Sequence, residues 1–364
     1  MTGSSDNAYM AQALRLAERG LYTAMPNPIV GCVIVKDGVV VGEGWHQVAG
    51  ENHAEVNALQ AAGDRARGAT VYVTLEPCAH HGKTPPCAAA LVAAGVAAVV
   101  IGLRDPHPEV DGRGIRILEA AGISVRSGVL ADAVQRQLEG FLSRVTRGRP
   151  FVRLKTACSL DGRTAMASGE SQWITGPAAR ADVQRLRARA GAILTGIGTV
   201  LADDPSMTVR DPAIDTGGRQ PLRVVLDDHL RTPPSAKMLT LAGETLIYCS
   251  SDANHKALVA AGAGVVQVGA SNGHVDASAV LDDLGARGVN EVLVEAGPIL
   301  GGSLITANLV DELVIYQAPH IMGSETRGMF RTPAWTALSD RRPLAIIDTH
   351  PVGPDTRITA RFAD

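Results

Sequence analysis

His53-Ala54-Glu55, then Glu76-Pro77-Cys78, then Cys87 beyond the insert Ala79-His80-His81-Gly82-Lys83-Thr84-Pro85-Pro86, form the stretch on which the fold turns. One imidazole and two thiols are donor types that zinc favours, and a catalytic zinc takes three protein ligands and keeps a fourth position for water. His53, Cys78 and Cys87 provide that set. Glu55 stands two residues past the histidine, near the start of a helix read over 53–62. A carboxylate there can face an activated water without ligating the metal, take up a proton and hand it to a departing amine. This is the His-x-Glu, Pro-Cys, Cys logic of zinc-dependent deaminases. A His-Ala-Glu triplet alone more often marks a helix cap. The Pro-Cys pair after a strand and the second cysteine at a helix start make the conjunction specific. A purely structural zinc would want a fourth protein ligand, which His80 or His81 could supply; Glu55 tilts the balance to catalysis.

The flanking sequence reads as an α/β unit. Residues 70–75, rich in β-branched side chains, form the strand that delivers Pro77-Cys78; 87–94 is helical and 96–101 a strand. Upstream, 9–19 reads as an amphipathic helix, and 29–35 with 39–44 as a hairpin turning at Asp37-Gly38. A helix, a strand and a helix near 131–144 complete the unit. Arg147-Gly148-Arg149-Pro150 is short, basic and helix-breaking, and an apolar strand over 151–157 follows it. The boundary is therefore placed there, giving domains 1–147 and 148–364. Beyond it come a helix at 177–189 and strands at 192–195, 222–226, 245–248, 265–268 and 292–294. No internal repeat, low-complexity tract or heptad pattern interrupts them.

Composition narrows the function. The 364 residues suffice for two domains at about 150 residues each. With 46% hydrophobic and 3% aromatic residues, the cores must be built mainly from Ala, Val, Leu and Ile. A net charge of −3 offers no footprint for nucleic acid, which counts against a tRNA deaminase, as does the long spacing between the two cysteines. A small phosphorylated ligand is the more economical partner. The polar start lacks the pattern of a signal peptide, and no apolar run reaches the roughly 18 residues of a membrane span. A cytoplasmic protein with no membrane partner is expected. Five cysteines argue against a disulfide framework, and Cys32, Cys158 and Cys249 read as buried small hydrophobes.

The run from Glu76 to Cys87, with Pro26-Asn27-Pro28-Ile29-Val30-Gly31-Cys32-Val33-Ile34-Val35, closely resembles the bifunctional riboflavin-biosynthesis deaminase–reductase family. The resemblance extends from about residue 9 to 354. It implies a cytidine-deaminase-like domain that removes the 2-amino group of 2,5-diamino-6-ribosylamino-4(3H)-pyrimidinone 5′-phosphate. It further implies a dihydrofolate-reductase-like domain that reduces the ribosyl side chain to ribityl with NADPH, in a homo-oligomer. In family terms His53, Cys78 and Cys87 hold one zinc ion per chain and Glu55 is the proton shuttle. Asn27, His80, Lys83 and Asp105 match positions near the pyrimidine or its phosphate. Asp105-Pro106-His107-Pro108 has a histidine where relatives commonly have asparagine.

Lys155-Thr156-Ala157-Cys158-Ser159-Leu160-Asp161-Gly162-Arg163-Thr164-Ala165 and Ser168 to Thr175 match the reductase half. No GxGxxG follows a strand. The dinucleotide signal is instead the strand ending at Glu295 and the glycine-rich turn Gly297-Pro298-Ile299-Leu300-Gly301-Gly302-Ser303, whose helix start can receive a phosphate. By position, Ala157, Trp173, Thr199, Asp203, Asp228 and Gly297 to Ser303 correspond to NADPH contacts, with Lys155 counted beside them. Ser171, Arg187, Met207, Arg210 and Glu295 correspond to substrate contacts; Arg187 and Arg210 suit a phosphate. Asp228 stands where a serine is expected, and an acidic group there would disfavour the 2′-phosphate of NADPH.

Overall fold

Alternate residues of neighbouring strands feed two different cores. The computed structural model describes residues 2–79, 86–251, 255–271 and 273–363, and the chain divides into two compact units, Met1–Gly148 and Arg149–Asp364. The first unit runs α1 (Thr2–Glu18), β1 (Gly31–Lys36), β2 (Val39–Trp45), α2 (Ala54–Ala62), β3 (Thr70–Leu75) and α3 (Cys87–Ala94). It continues through β4 (Ala98–Leu103), α4 (Arg113–Ala120), β5 (Ser124–Ser127), α5 (Ala131–Gln137) and α6 (Glu139–Arg147). The sheet order is β2-β1-β3-β4-β5. β1 is antiparallel to both neighbours, and β3, β4 and β5 are parallel.

Because side chains alternate along a strand, Cys32, Ile34, Val71, Val73, Val99 and Ile101 enter one core with Ala54, Ala58, Ala88 and Leu91 of α2 and α3. Val33, Val35, Tyr72 and Val100 enter the other with Met10, Ala13 and Leu16 of α1. Burial on both faces explains why these strands read as continuous apolar runs. Helix α1 starts well ahead of the expected residue 9. Buried Asp6 accepts a hydrogen bond from Tyr72 Oη at 2.8 Å and pairs with Arg126 at 2.6 Å, partners far away in sequence. The helix expected near 131–144 is two helices meeting at buried Leu138. Helix α2 lies on β2 at backbone contact: a side chain on Gly42 would run into the Ala58 carbonyl, and one on Gly44 into that of Ala54. That close approach fixes the start of α2, where His53 and Glu55 stand.

The second unit begins with β6 (Phe151–Ser159), β7 (Arg163–Ala165), α7 (Pro177–Arg189), β8 (Ala192–Gly196), α8 (Ile197–Asp203) and β9 (Leu222–Leu226). There follow α9 (Lys237–Thr240), β10 (Thr245–Cys249), α10 (Lys256–Ala260), β11 (Gly264–Gln267), β12 (Ala270–Ser271), β13 (His274–Val275) and α11 (Ala277–Ala286). The last elements are β14 (Glu291–Glu295), α12 (Pro298–Thr306), β15 (Glu312–Ala318), β16 (Arg327–Gly328), β17 (Leu344–Val352) and β18 (Asp355–Phe362). The main sheet has the order β11-β10-β9-β8-β14-β6-β15-β18-β17. Its strands are parallel from β11 to β15, and β18 and β17 are antiparallel additions.

β15, β17 and β18 go beyond the strands expected from sequence. β17 is exposed along most of its length and carries Pro351, so it lacks the signature of a buried strand. From β8 the chain moves outward through β9, β10 and β11; from β14 it moves the other way, past β6 to β15. Such a reversal opens a crevice at the carboxyl ends of parallel strands. Among the described residues, no helix is long and apolar enough to cross a membrane.

Candidate zinc centre and reductase cleft

The donor set assembles from three elements. His53 precedes the first turn of α2 in extended backbone, φ −74° and ψ 166°. Cys78 lies just beyond β3, and Cys87 is the first residue of α3, behind Pro86. His53 Nδ1 is 3.5 Å from Cys78 Sγ and 3.3 Å from Cys87 Sγ, and the three ligand atoms lie within 4.8 Å of one another. A tetrahedral zinc at ordinary Zn–N and Zn–S lengths separates N and S by about 3.5 Å, so the residues fit the ion. Hydrogen bonds from Cys87 and His53 hold the Cys78 thiol well below the usual cysteine range, including the Cys87 N–H at 3.3 Å.

Glu55, in the first turn of α2, is buried beside this cluster. Burial pushes its carboxyl up to about 7, and the neighbouring Cys78 adds to the rise. A carboxyl poised there can hold or release a proton near neutral pH.

Sequence reasoning missed His46. It is buried, and its Nδ1 lies 3.1 Å from the Asn52 carbonyl oxygen, so Nδ1 carries the proton and donates. Its Nε2 then accepts from Asn27 Nδ2 at 3.1 Å, which sets the direction of the Asn27 amide. Its ring meets that of His53 edge-on, with centroids 5.2 Å apart. A lone histidine after a strand gave no signal of this. Asp105 is buried, and its Oδ1 accepts the His107 N–H at 2.8 Å. The His107 ring accepts the Glu109 N–H at 3.3 Å, so this histidine helps hold its own turn. His80 and Lys83 lie outside the described residues.

In the second unit the expected residues gather at the carboxyl ends of the parallel strands. Lys155 and Ala157 are on β6, and Lys155 is paired in register with Glu295 on β14. Arg187 of α7 grips Glu295 with both arms, Nε–Oε1 at 2.6 Å and Nη2–Oε2 at 2.9 Å, and also donates to the Thr208 carbonyl at 3.0 Å. The guanidinium fork expected to meet a phosphate thus holds a carboxylate. Burial lowers the Lys155 ammonium below the usual lysine range while Glu295 opposes that drop. Glu295, although buried, is kept ionised by Arg187, Lys155 and Arg210.

Thr199 and Asp203 lie on α8 after β8, and Gly297 to Ser303 open α12 after β14, so the two segments flank the reversal in strand order. A Cβ on Gly196 would touch Leu300, whereas one on Gly198 or Gly297 would meet nothing within 4 Å. Pro298 opens the helix, as expected. Gly302 packs so tightly on the Arg331 backbone that no side chain fits. Trp173 is exposed with the Arg180 guanidinium 4.6 Å from its ring centroid. Ser171 lies two residues before it, and Gln172 reaches Asp203 at 3.5 Å. Met207 is buried in the core beside β8, so its side chain packs inward, while Arg210 is exposed.

Asp228 is engaged within the protein. It pairs with His274 at 2.8 Å and accepts the Val275 N–H at 2.6 Å. Burial alone would raise its carboxyl, but these partners hold it below the usual range.

Residues 3–103 match the cytidine and deoxycytidylate deaminase zinc-binding region, and residues 150–349 match the RibD C-terminal domain. The chain is 48% identical over 359 residues to the riboflavin biosynthesis protein RibD of Escherichia coli (strain K12), covering 96% of this chain and 97% of that one. It is 42% identical over 357 residues to RibD of Bacillus amyloliquefaciens, covering 97% and 95%. The solved structure of Acinetobacter baumannii RibD, form 2, is similar with a TM-score of 0.92 at 43% identity over the whole of both chains. A Thermotoga maritima diaminohydroxyphosphoribosylaminopyrimidine deaminase/5-amino-6-(5-phosphoribosylamino)uracil reductase is similar at 0.88 and 32%, again over both whole chains. Fold and site together define a bifunctional enzyme, a zinc-binding deaminase followed by a reductase. The chain belongs to the RibD family, and its two activities are the deamination and reduction steps of riboflavin biosynthesis.

Proposed function

We propose that the unit Met1–Gly148 hydrolyses the 2-amino group of 2,5-diamino-6-ribosylamino-4(3H)-pyrimidinone 5′-phosphate, and that Arg149–Asp364 then reduces the ribosyl chain to ribityl with NADPH. The observation that carries the first half is the His53, Cys78 and Cys87 donor set beside the buried carboxyl of Glu55. Zinc held by these three residues would supply a polarised water. Glu55 takes a proton from the attacking water and delivers it to the departing amine. Asn27, steered by His46, and Asp105 bind the heterocycle, and His80 and Lys83 complete the substrate-binding set.

In the second half, Lys155, Arg187, Arg210 and Glu295 form the charged floor on which Ser171 and the Met207 backbone help place the substrate. Ala157, Trp173, Thr199, Asp203 and Gly297 to Ser303 would hold NADPH, and the start of α12 would suit its phosphates. The open space beside Gly198 and Gly297 supports that reading. The enzyme is also proposed to be a homo-oligomer, which sedimentation of the purified chain tests.

One assay separates the halves: zinc-loaded protein is given the diaminopyrimidinone ribotide and ammonia is followed, then NADPH is added and its absorbance followed. Release followed by oxidation supports both. Ammonia without oxidation removes NADPH as the cofactor and brings NADH forward. No ammonia from protein shown to contain zinc defeats the substrate assignment.

A further inference from the structure

We propose that Glu76 is a positioning residue of the deaminase centre, its buried carboxylate locking the turn that carries Cys78 to the segment that carries Asp105. The residue is 3% exposed and lies immediately before Pro77-Cys78. Four backbone amides donate to it. Oε1 accepts from Gly114 at 3.0 Å and Ile115 at 3.3 Å; Oε2 accepts from Gly112 at 3.1 Å and Asp105 at 3.4 Å.

Gly112 is the residue that precedes α4, and Gly114 and Ile115 belong to its first turn. The carboxylate therefore satisfies orphan donors at the positive end of a helix far away in sequence. A buried carboxylate met by several N–H groups is firmly placed, because moving it strands an anion and its donors together. The helix also presses on the chain just after Glu76: a side chain at Gly114 would collide with the Pro77 carbonyl.

Cys78 is thus pinned from two sides. From α3, the Cys87 N–H donates to its sulfur at 3.3 Å, and its carbonyl accepts the Ala88 N–H at 3.2 Å. From α4, Glu76 and Gly114 fix the peptide leading into it. Through the Asp105 N–H the same carboxylate sets where the Asp105 turn stands relative to that ligand. Glu76 acts through Cys78 and Asp105 and moves no proton. The Asp105 half rests on the substrate assignment proposed above, whereas the Cys78 half does not.

Glu76→Gln in the full chain puts an amide NH₂ against backbone N–H groups and removes the anion from the start of α4. Zinc affinity, read by competition with a chromophoric chelator, is expected to weaken about 10- to 100-fold, the usual cost of losing a support behind a metal ligand. The visible thiolate bands of the cobalt-substituted protein should shift, and kcat/KM for ammonia release should fall by a similar factor with KM raised. NADPH-dependent reduction of the deaminated intermediate reports the integrity of the other unit. Glu76→Asp, which keeps the charge on a shorter arm, should fall between Gln and the unaltered enzyme in zinc affinity.

Unaltered zinc affinity and cobalt spectrum in Glu76→Gln overturn the proposal, even if the melting temperature drops. Should Glu76→Gln fail to fold, Glu76→Asp decides. A shifted cobalt spectrum sustains the positioning role, and a normal one with a lowered melting temperature reduces Glu76 to a helix support. The zinc and cobalt readouts stand even if the diaminopyrimidinone ribotide is the wrong substrate.

Discussion

Replacing Arg187 with methionine leaves Glu295 as a carboxylate without its main partner. The two side chains are only 12% and 16% exposed, so solvent screens them weakly and the pair belongs to the buried class. Removing one partner of such a pair costs about 3–5 kcal/mol, mostly from the charge left behind. Lys155 and Arg210 also attract Glu295, which argues for the lower end, ~3 kcal/mol. Adding Glu295→Gln removes the stranded charge, and the double variant should regain most of the loss, with a coupling of ~2 kcal/mol or more.

The pH dependence has a definite sign. In the unaltered protein Glu295 titrates below its usual value. Its contribution is therefore present above the unfolded pKa of about 4.3 and is lost as pH falls through the lower folded value. In Arg187→Met burial drives the carboxyl upward instead. The deficit is then largest at neutral pH and shrinks as pH falls towards ~4, where the unfolded chain also takes up the proton. Urea unfolding read by hydrogen exchange in peptides of Arg149–Asp364, with Met1–Gly148 as internal reference, measures all three variants. A double variant as unstable as the sum of the singles, or a deficit that grows in acid, would refute this account of the pair.

Glu55→Gln should keep one zinc per chain by metal analysis and lower deamination about 10²- to 10⁴-fold while sparing reduction; an unchanged ammonia rate removes Glu55 from proton transfer. Stripping the metal with a chelator should abolish ammonia release, leave NADPH oxidation on the deaminated intermediate intact, and lower the melting temperature of the deaminase unit only, a pattern calorimetry resolves. Gly44→Ala should destabilise that unit by about 1–3 kcal/mol by driving α2 off β2, and should depress deamination more than reduction; equal loss of both activities would show that the strain does not stay local.

Much of the deaminase unit was legible because its signals are local. The strand Thr70–Leu75 and the helix Cys87–Ala94 coincide with the expected elements, since β-branched runs, Pro86 and Gly95 mark their limits within a few residues. The metal donors were legible because ligand chemistry narrows the choice to a few residue types. Contacts that cross the sequence were not. Glu76 appeared in the motif without a role because its donors are 29 to 39 residues away. Asp6 extended α1 through partners on β3 and β5. Nothing local reveals that Glu295 fills the fork of Arg187. The partner of Asp228 was equally illegible, because the hairpin that supplies His274 is distant in sequence.

The contact between α2 and the sheet has a consequence for which substitutions this protein can tolerate. Ala54, Ala58 and Ala62 are all but inaccessible, and beneath them Gly42 and Gly44 leave no room for even a methyl group. The smallness of these side chains is what brings the helix, and the histidine before it, down to the level of the two thiols. A survey of tolerated changes should therefore find Ala54 and Ala58 as intolerant as Glu55, although neither is expected to touch metal or substrate. In a mutational map of activity, the imprint of the zinc centre would extend as a stripe of enforced smallness about two helical turns long.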